Sequence, residues 1–165
     1  MNIGELLVNV ITVLLFYFFI SRTFTLRRLH WICRGIGLML LFVLITLLNL
    51  MNIAPTITCV SGLICQILYT MVFAEGSRGA RLLIGGIPAL LAVVSDSVTF
   101  SVLGILFQDT SEALTVNSAI RSQALVIYIL TYCLLIWAVI QFFPQDLKFP
   151  GYFEGVIFLT CGLGV

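Results

Sequence analysis

The strongest constraint in this sequence is a pair of long apolar runs between Ile67 and Val98, joined by a short charged hinge. Each run is long enough to belong to a bilayer-spanning helix, which needs about 20 mostly apolar residues. The hinge, residues 75–81, contains Glu75, Arg78 and Arg81. The chain is therefore expected to cross a membrane, turn at this hinge and cross back.

The composition of the whole chain supports the same class. Hydrophobic residues make up 61% and charged residues only 9% of the 165 residues, whereas soluble domains carry about 25% charged residues. The net charge of +1 gives no basis for nucleic-acid binding. No polar linker divides the chain, so residues 1–165 are interpreted as a single transmembrane domain in contact with the lipid bilayer. The five cysteines have no metal-like spacing and are interpreted as buried apolar thiols, with no metal site.

The apolar runs predict an all-α, polytopic helical bundle with five full spans and a partial sixth. The predicted spans are residues 6–20, 36–50, 56–73, 82–107 and 124–143, with the partial span at 152–165. A helix of the last length rises only about 21 Å, short of a hydrocarbon core of about 30 Å. We therefore expect either an incomplete last helix or a fragment of a longer protein. A short interfacial helix is expected within residues 108–123, and a kink in the fourth span at Gly85, Gly86 and Pro88.

The basic residues predict the orientation of these spans. Short loops rich in Lys and Arg remain on the cytoplasmic side of a membrane. An outside N-terminus places seven of the eight basic residues inside and Arg121 alone outside. The seven are Arg22, Arg27, Arg28, Arg34, Arg78, Arg81 and Lys148. The N-terminus is therefore predicted to be extracellular.

Asp96 is the main functional candidate, because it is the only carboxylate well inside an apolar run. A charge at that depth costs about 2.5–3.5 kcal/mol on insertion scales, so such residues face a bundle interior or a wet cavity. With Ser95, Ser97, Thr99 and Ser101, Asp96 is hypothesised to line a polar crevice for signal reception. A locally satisfied structural carboxylate is the alternative.

Three other sets of polar residues also have a functional and a structural interpretation. Gln66 is a polar position of the third span and is expected to face other helices. The outer segment 109–121, with Asp109, Glu112 and Arg121, is either a ligand-contacting loop or a plain connector. His30 and Cys33 have the spacing of a thiol-peptidase pair, but their arginine-rich surroundings favour anchoring at the membrane interface.

Residues 60–143 resemble the transmembrane sensor region of Gram-positive GHKL-type sensor histidine kinases, the accessory-gene-regulator-C-like group. An aromatic-rich helix ends at Phe73 and is followed by a small and basic segment, and the next helix carries an acidic residue. The matching positions are Phe73, Gly76, Ser77, Arg78, Arg81, Leu82, Asp96, Ser111, Glu112, Leu114 and Arg121.

The resemblance implies a receptor in the bacterial cell membrane for an extracellular peptide pheromone or other small signal, acting in quorum sensing. It also implies a homodimer coupled to a cytoplasmic kinase domain and a response regulator of a two-component system. ATP and Mg²⁺ would belong to that kinase domain. The chain itself contains no phosphoacceptor or ATP-binding sequence boxes, so we expect it to bind no cofactor and to have no catalytic residues of its own.

Two further classes remain open from the sequence. A transporter or permease subunit would use Asp96, Gln66 and the Gly/Pro-interrupted fourth span as substrate contacts. A small accessory membrane protein would end at Val165.

Overall fold

The computed structural model describes residues 3–27, 31–51, 55–107 and 118–142, which form five α-helices. The helices are α1 (Ile3–Thr23), α2 (Trp31–Leu50), α3 (Pro55–Phe73), α4 (Arg78–Phe107) and α5 (Ser118–Phe142). Over these described residues, the prediction of an all-α fold is confirmed. Helices α4 and α5 begin four and six residues before the predicted spans, because polar residues at the ends of the apolar runs continue the helical backbone.

Four of these helices are long and apolar enough to cross a membrane: Gly4–Thr23, Trp31–Leu50, Arg78–Leu106 and Ile120–Gln141. Helix α3 is apolar but shorter, with its apolar part at Ile57–Phe73. The predicted partial sixth span, residues 152–165, and most of the expected interfacial helix, residues 108–117, lie outside the described residues. The end of that interfacial segment, from Ser118 onward, belongs to α5.

The five helices pack in a closed ring. Each helix contacts the next one along the chain, and α5 returns to contact α1. One end of the ring, here called the loop end, carries the two connections that follow α1 and α3. The opposite end, here called the Glu5 end, carries the first turns of α1 and α5 and the last turn of α2. A ring of this kind encloses a space that side chains either fill or leave open.

Large side chains fill the half of this space nearest the loop end. Phe16 and Phe19 are completely buried, and Tyr69 is almost so. The rings of Phe16 and Tyr69 meet edge to face at 5.4 Å, and Tyr69 also contacts Phe73 at 4.6 Å between centroids. Edge-to-face pairs of this kind are favourable beyond the area they bury. The loop half of the bundle is therefore a packed aromatic core.

Two glycines bring α3 and α4 close together. A β-carbon at Gly85 would lie 2.8 Å from Thr70, and one at Gly86 would lie 3.0 Å from Leu63. Small residues of this kind let membrane helices approach closely and gain van der Waals contact. The α-helix continues through Pro88, which is buried. These glycines therefore act as the contact surface for α3.

The two connections at the loop end pair with each other. Leu26 and Ala74 form an antiparallel β-bridge. The Arg27 amide donates to the Phe73 carbonyl at 2.9 Å, and the Glu75 amide donates to the Thr25 carbonyl at 2.8 Å. The connection after α1 is thereby tied to the connection after α3.

The predicted hinge is shorter than the sequence suggested. Gly76 adopts a φ of 137°, a conformation that favours glycine, and the Ser77 hydroxyl accepts a hydrogen bond from the Ala80 amide as the N-cap of α4. Arg78 and Arg81 already belong to α4. Arg78 is exposed, but Arg81 is buried and donates from its Nη1 to the Met71 carbonyl at 2.6 Å. Arg81 therefore caps the C-terminal end of α3. This differs from the prediction, in which Arg81 was a charged residue of the loop.

The prediction that the cysteines are buried is wrong for the four that the structure describes. Cys33 and Cys59 are exposed, and Cys65 and Cys133 are partly exposed, all as free thiols. Each lies on a helix whose outward faces are as apolar as its inward faces, so hydrophobicity alone did not distinguish the two sides.

Candidate functional site

The half of the ring nearest the Glu5 end contains a cavity of about 350 Å³. All five helices contribute to its lining. Its wall is largely aliphatic, but eight side chains bring amide, carboxylate or hydroxyl groups to it: Asn9, Thr12, Asn49, Thr58, Gln66, Asp96, Thr99 and Tyr128. A mostly apolar cavity with a few convergent polar groups is the usual form of a small-ligand site.

A layer of buried residues forms the floor of this cavity. One helical turn closer to the loop end, each of the five helices has a buried residue. These floor residues are Phe16, Leu41, Tyr69, Gly85 and Tyr132. The helices are therefore packed together on the loop side of the cavity.

Two asparagines tie α1 to α2 at the side of the cavity. Asn9 is 5% exposed, and its Nδ2 donates to the Thr46 hydroxyl at 3.4 Å. The Nδ2 of Asn49 donates to the Oδ1 of Asn9 at 3.1 Å. In a bilayer, polar groups between helices need such partners because no water replaces them. The amide groups of Asn9 and Asn49 at the cavity are thus already engaged in hydrogen bonds between α1 and α2.

Gln66 and Asp96 have no such partners among the described residues. Gln66 is 3% exposed, and its Oε1 is buried without a hydrogen-bond donor. Asp96 lines the cavity, its side chain is exposed, and it forms no hydrogen bond or ion pair with the described part of the chain. The structure brings these two sequence-predicted candidates to the same cavity.

The hydroxyl groups beside Asp96 are arranged differently from the hypothesised crevice. Thr99 lines the cavity, and its hydroxyl donates to the Ser95 carbonyl at 2.8 Å. Ser95 is buried and donates to the Leu91 carbonyl. Ser97 and Ser101 are exposed outside the cavity and donate to carbonyls of their own helix. The helical period therefore leaves Asp96 and Thr99 as the polar residues of this stretch at the cavity.

An ion pair between Glu5 and Arg121 lies at the mouth of the cavity. These two residues line a second space of about 420 Å³ at the Glu5 end. That space shares Val8, Asn9 and Asn49 with the first cavity, so the two are adjacent. Arg121 was predicted to contact a ligand. At the mouth of the cavity its charge is neutralised by Glu5, which was not predicted as a site residue.

The remaining candidates are not brought to the site. Asp109, Glu112 and His30 lie outside the described residues, and Cys33 is exposed near the loop end. Five polar cavity residues were not predicted as site residues: Asn9, Thr12, Asn49, Thr58 and Tyr128. The one signal for Asn9 was a single amide within the otherwise apolar run LLVNVITVLL.

The chain matches no protein-family model, and comparisons with curated proteins and with solved structures give no significant similarity. The interpretation of the cavity therefore depends on its geometry and chemistry.

Proposed function

We propose that this chain is the membrane sensor part of a two-component histidine kinase, and that an extracellular signal such as a peptide pheromone binds in the cavity. The observation that carries the proposal is a mostly apolar cavity with a few convergent polar groups, which adjoins a second space at the Glu5 end and has packed residues on its loop side. A receptor needs a site open to one side only. The resemblance of residues 60–143 to histidine-kinase sensor regions agrees with this reading.

In this proposal, all five described helices cross the bacterial cell membrane with the N-terminus outside. Helix α3, with 19 residues, has a length of about 28 Å, close to the hydrocarbon thickness of about 30 Å. The Glu5 end is then extracellular, and the basic loop end is cytoplasmic. A partial sixth span follows α5 in the same scheme.

The topology predicts which positions an impermeant maleimide reaches in intact cells. Met51, 70% exposed at the Glu5 end, and Glu75, exposed at the loop end, are replaced singly by cysteine in a cysteine-free background. We expect Met51→Cys to be labelled in intact cells and Glu75→Cys only after permeabilisation. The reverse pattern would refute the extracellular N-terminus.

Signal transmission follows from the connection between the two halves of the bundle. A ligand changes a receptor only by binding one helix packing better than another. The cavity is lined by all five helices, and the bridge between Leu26 and Ala74 joins the connections at the other end. A change in helix packing around a ligand would therefore reach the cytoplasmic connections, and through them the kinase domains of a homodimer.

A transporter or permease subunit is the second candidate. It is favoured by Asp96 at the cavity, because transporters often place ionisable residues at the substrate site. The interrupted helix that many transporters have there is not seen, since α4 continues through Pro88. The packed floor argues against it, since transport needs access from both sides in turn. A small accessory membrane protein is a third possibility.

Reading the parent gene past the codon for Val165 tests the kinase assignment. A continuing frame that encodes a further helix, a phosphoacceptor histidine and a GHKL ATP-binding domain would support the sensor proposal. A stop codon directly after Val165 would refute it and favour the transport or accessory roles.

A further inference from the structure

The chemistry of the cavity limits the class of ligand that it accepts. Its wall contains one carboxylate, Asp96, and no Lys, Arg or His among the described residues that line it. The nearest basic group at the mouth, Arg121, is paired with Glu5. The cavity therefore carries one formal negative charge when Asp96 is ionised, with no cation in its wall to neutralise it.

Two acceptors at the cavity, the Oε1 of Gln66 and the Asp96 carboxylate, have no donor among the described residues, while several of its donors are already used. The amide donors of Asn9 and Asn49 are directed at other side chains, and the Thr99 hydroxyl donates to its own helix. By contrast, the Oε1 of Gln66 is buried without a donor, and Asp96 has no donor among the described residues. A buried acceptor without a donor costs about 1–3 kcal/mol, so a ligand that supplies donors gains at this site.

The rest of the wall is apolar. Val8, Ile45, Val93, Phe100, Leu103 and Leu125 surround the polar groups. These residues suit a ligand with a hydrophobic body more than a hydrated metal ion, which needs several oxygen ligands close together. Among the described residues, no group of three or more His, Cys, Asp or Glu side chains is placed to hold a metal.

We propose that the cavity binds an organic cation, an ammonium or guanidinium group carried on an apolar body, with Asp96 as its counter-ion and the Oε1 of Gln66 as a hydrogen-bond acceptor. An ammonium or a guanidinium group supplies several N–H donors and a positive charge. The donors match the free acceptors, and the charge matches the unpaired carboxylate. That such a cation is the signal of the receptor rests on the function proposed above. That the purified chain binds such a cation can be tested separately.

The test measures binding of phenethylammonium chloride to the full chain in dodecylmaltoside micelles by isothermal titration calorimetry. The neutral, nearly isosteric 2-phenylethanol is the matched probe. We expect the wild-type protein to bind the ammonium compound about tenfold or more tightly than the alcohol, a difference of at least about 1.4 kcal/mol. This comparison needs no variant and so does not depend on the folding of a mutant.

Variants then assign the binding to the cavity. Asp96→Asn is expected to weaken ammonium binding by about tenfold or more, and Gln66→Leu is expected to weaken it to a smaller extent. Ser97→Ala is the matched control, because Ser97 is adjacent to Asp96 but lies outside the cavity, and its hydroxyl donates to the Val93 carbonyl. The Ser97→Ala protein should bind the ammonium compound as tightly as the wild type does. Equal binding of the two probes, no binding of either, or unchanged binding to Asp96→Asn would overturn the proposal.

The outcomes separate this inference from the receptor proposal. Failure of ammonium binding in a protein whose gene encodes a kinase domain would refute only the class of ligand. Ammonium binding in a protein whose gene stops after Val165 would support the organic-cation site and refute the kinase assignment.

Discussion

Gly85→Ala is expected to destabilise the bundle, although alanine is the better helix former. The new β-carbon would lie 2.8 Å from both the β-carbon and the hydroxyl of Thr70. Thr70 is completely buried, and its hydroxyl donates to the Gln66 carbonyl at 2.8 Å, so it has no space to move. Overpacking of this kind costs about 1–3 kcal/mol, and Gly85→Leu should cost more. Unfolding by SDS in mixed micelles, followed by circular dichroism, measures the change.

Gly35→Ala provides the matched control for this prediction. Gly35 is also helical, but a β-carbon there meets nothing within 4 Å. Without a clash, alanine should stabilise the helix by about 0.8–1.0 kcal/mol relative to glycine. The two substitutions are thus expected to act in opposite directions. A Gly85→Ala protein as stable as Gly35→Ala would contradict the close packing of α3 on α4.

Arg81→Met is expected to loosen the loop end of the bundle. The substitution keeps a long apolar side chain but removes the donor to the Met71 carbonyl, which lies in the last turn of α3. Hydrogen bonds from charged groups contribute about 1.5–3 kcal/mol, and an acceptor left buried without a donor adds to the loss. The free energy of unfolding in the same SDS titration should fall by an amount in this range.

Arg78→Met controls for the loss of a positive charge near the start of α4. Arg78 is exposed one turn earlier on the same helix, and exposed charges contribute little to stability. Its substitution should leave the free energy of unfolding nearly unchanged. If Arg78→Met and Arg81→Met were equally destabilised, Arg81 would matter only through its charge and would have no specific role as a cap.

Over the described residues, five helices lie where the apolar runs predicted them, because long apolar runs favour helices, but only four are long and apolar enough to cross a membrane. Helix ends were less predictable. Arg78 and Arg81 were assigned to a loop as charged residues, yet Ser77 caps α4 and Arg81 reaches back to α3. Such contacts depend on the neighbouring helix, which a single apolar run does not specify.

The candidate site was predictable only in part. Asp96 and Gln66 stood out because polar side chains are rare in such runs. Their meeting in one cavity depends on the closed ring of helices, and Asn9, Asn49 and Tyr128 join them for the same reason. Nearly uniform hydrophobicity around each helix hides the inward face, so the sequence did not indicate which polar residues share a cavity or that α5 returns to α1.

The central claim, that this chain belongs to a receptor whose signal binds in the cavity, is a proposal. Its most direct test is the signal response of the proposed full-length receptor with Asp96 changed to Asn. Reporter output from the response regulator is measured in cells that receive the native signal in culture supernatant, with membrane levels of each variant matched by immunoblot. If the cavity receives the signal, Asp96→Asn should lose most of the response while Ser97→Ala responds as the wild type does. A wild-type response from Asp96→Asn would contradict the assignment of the cavity as the signal site.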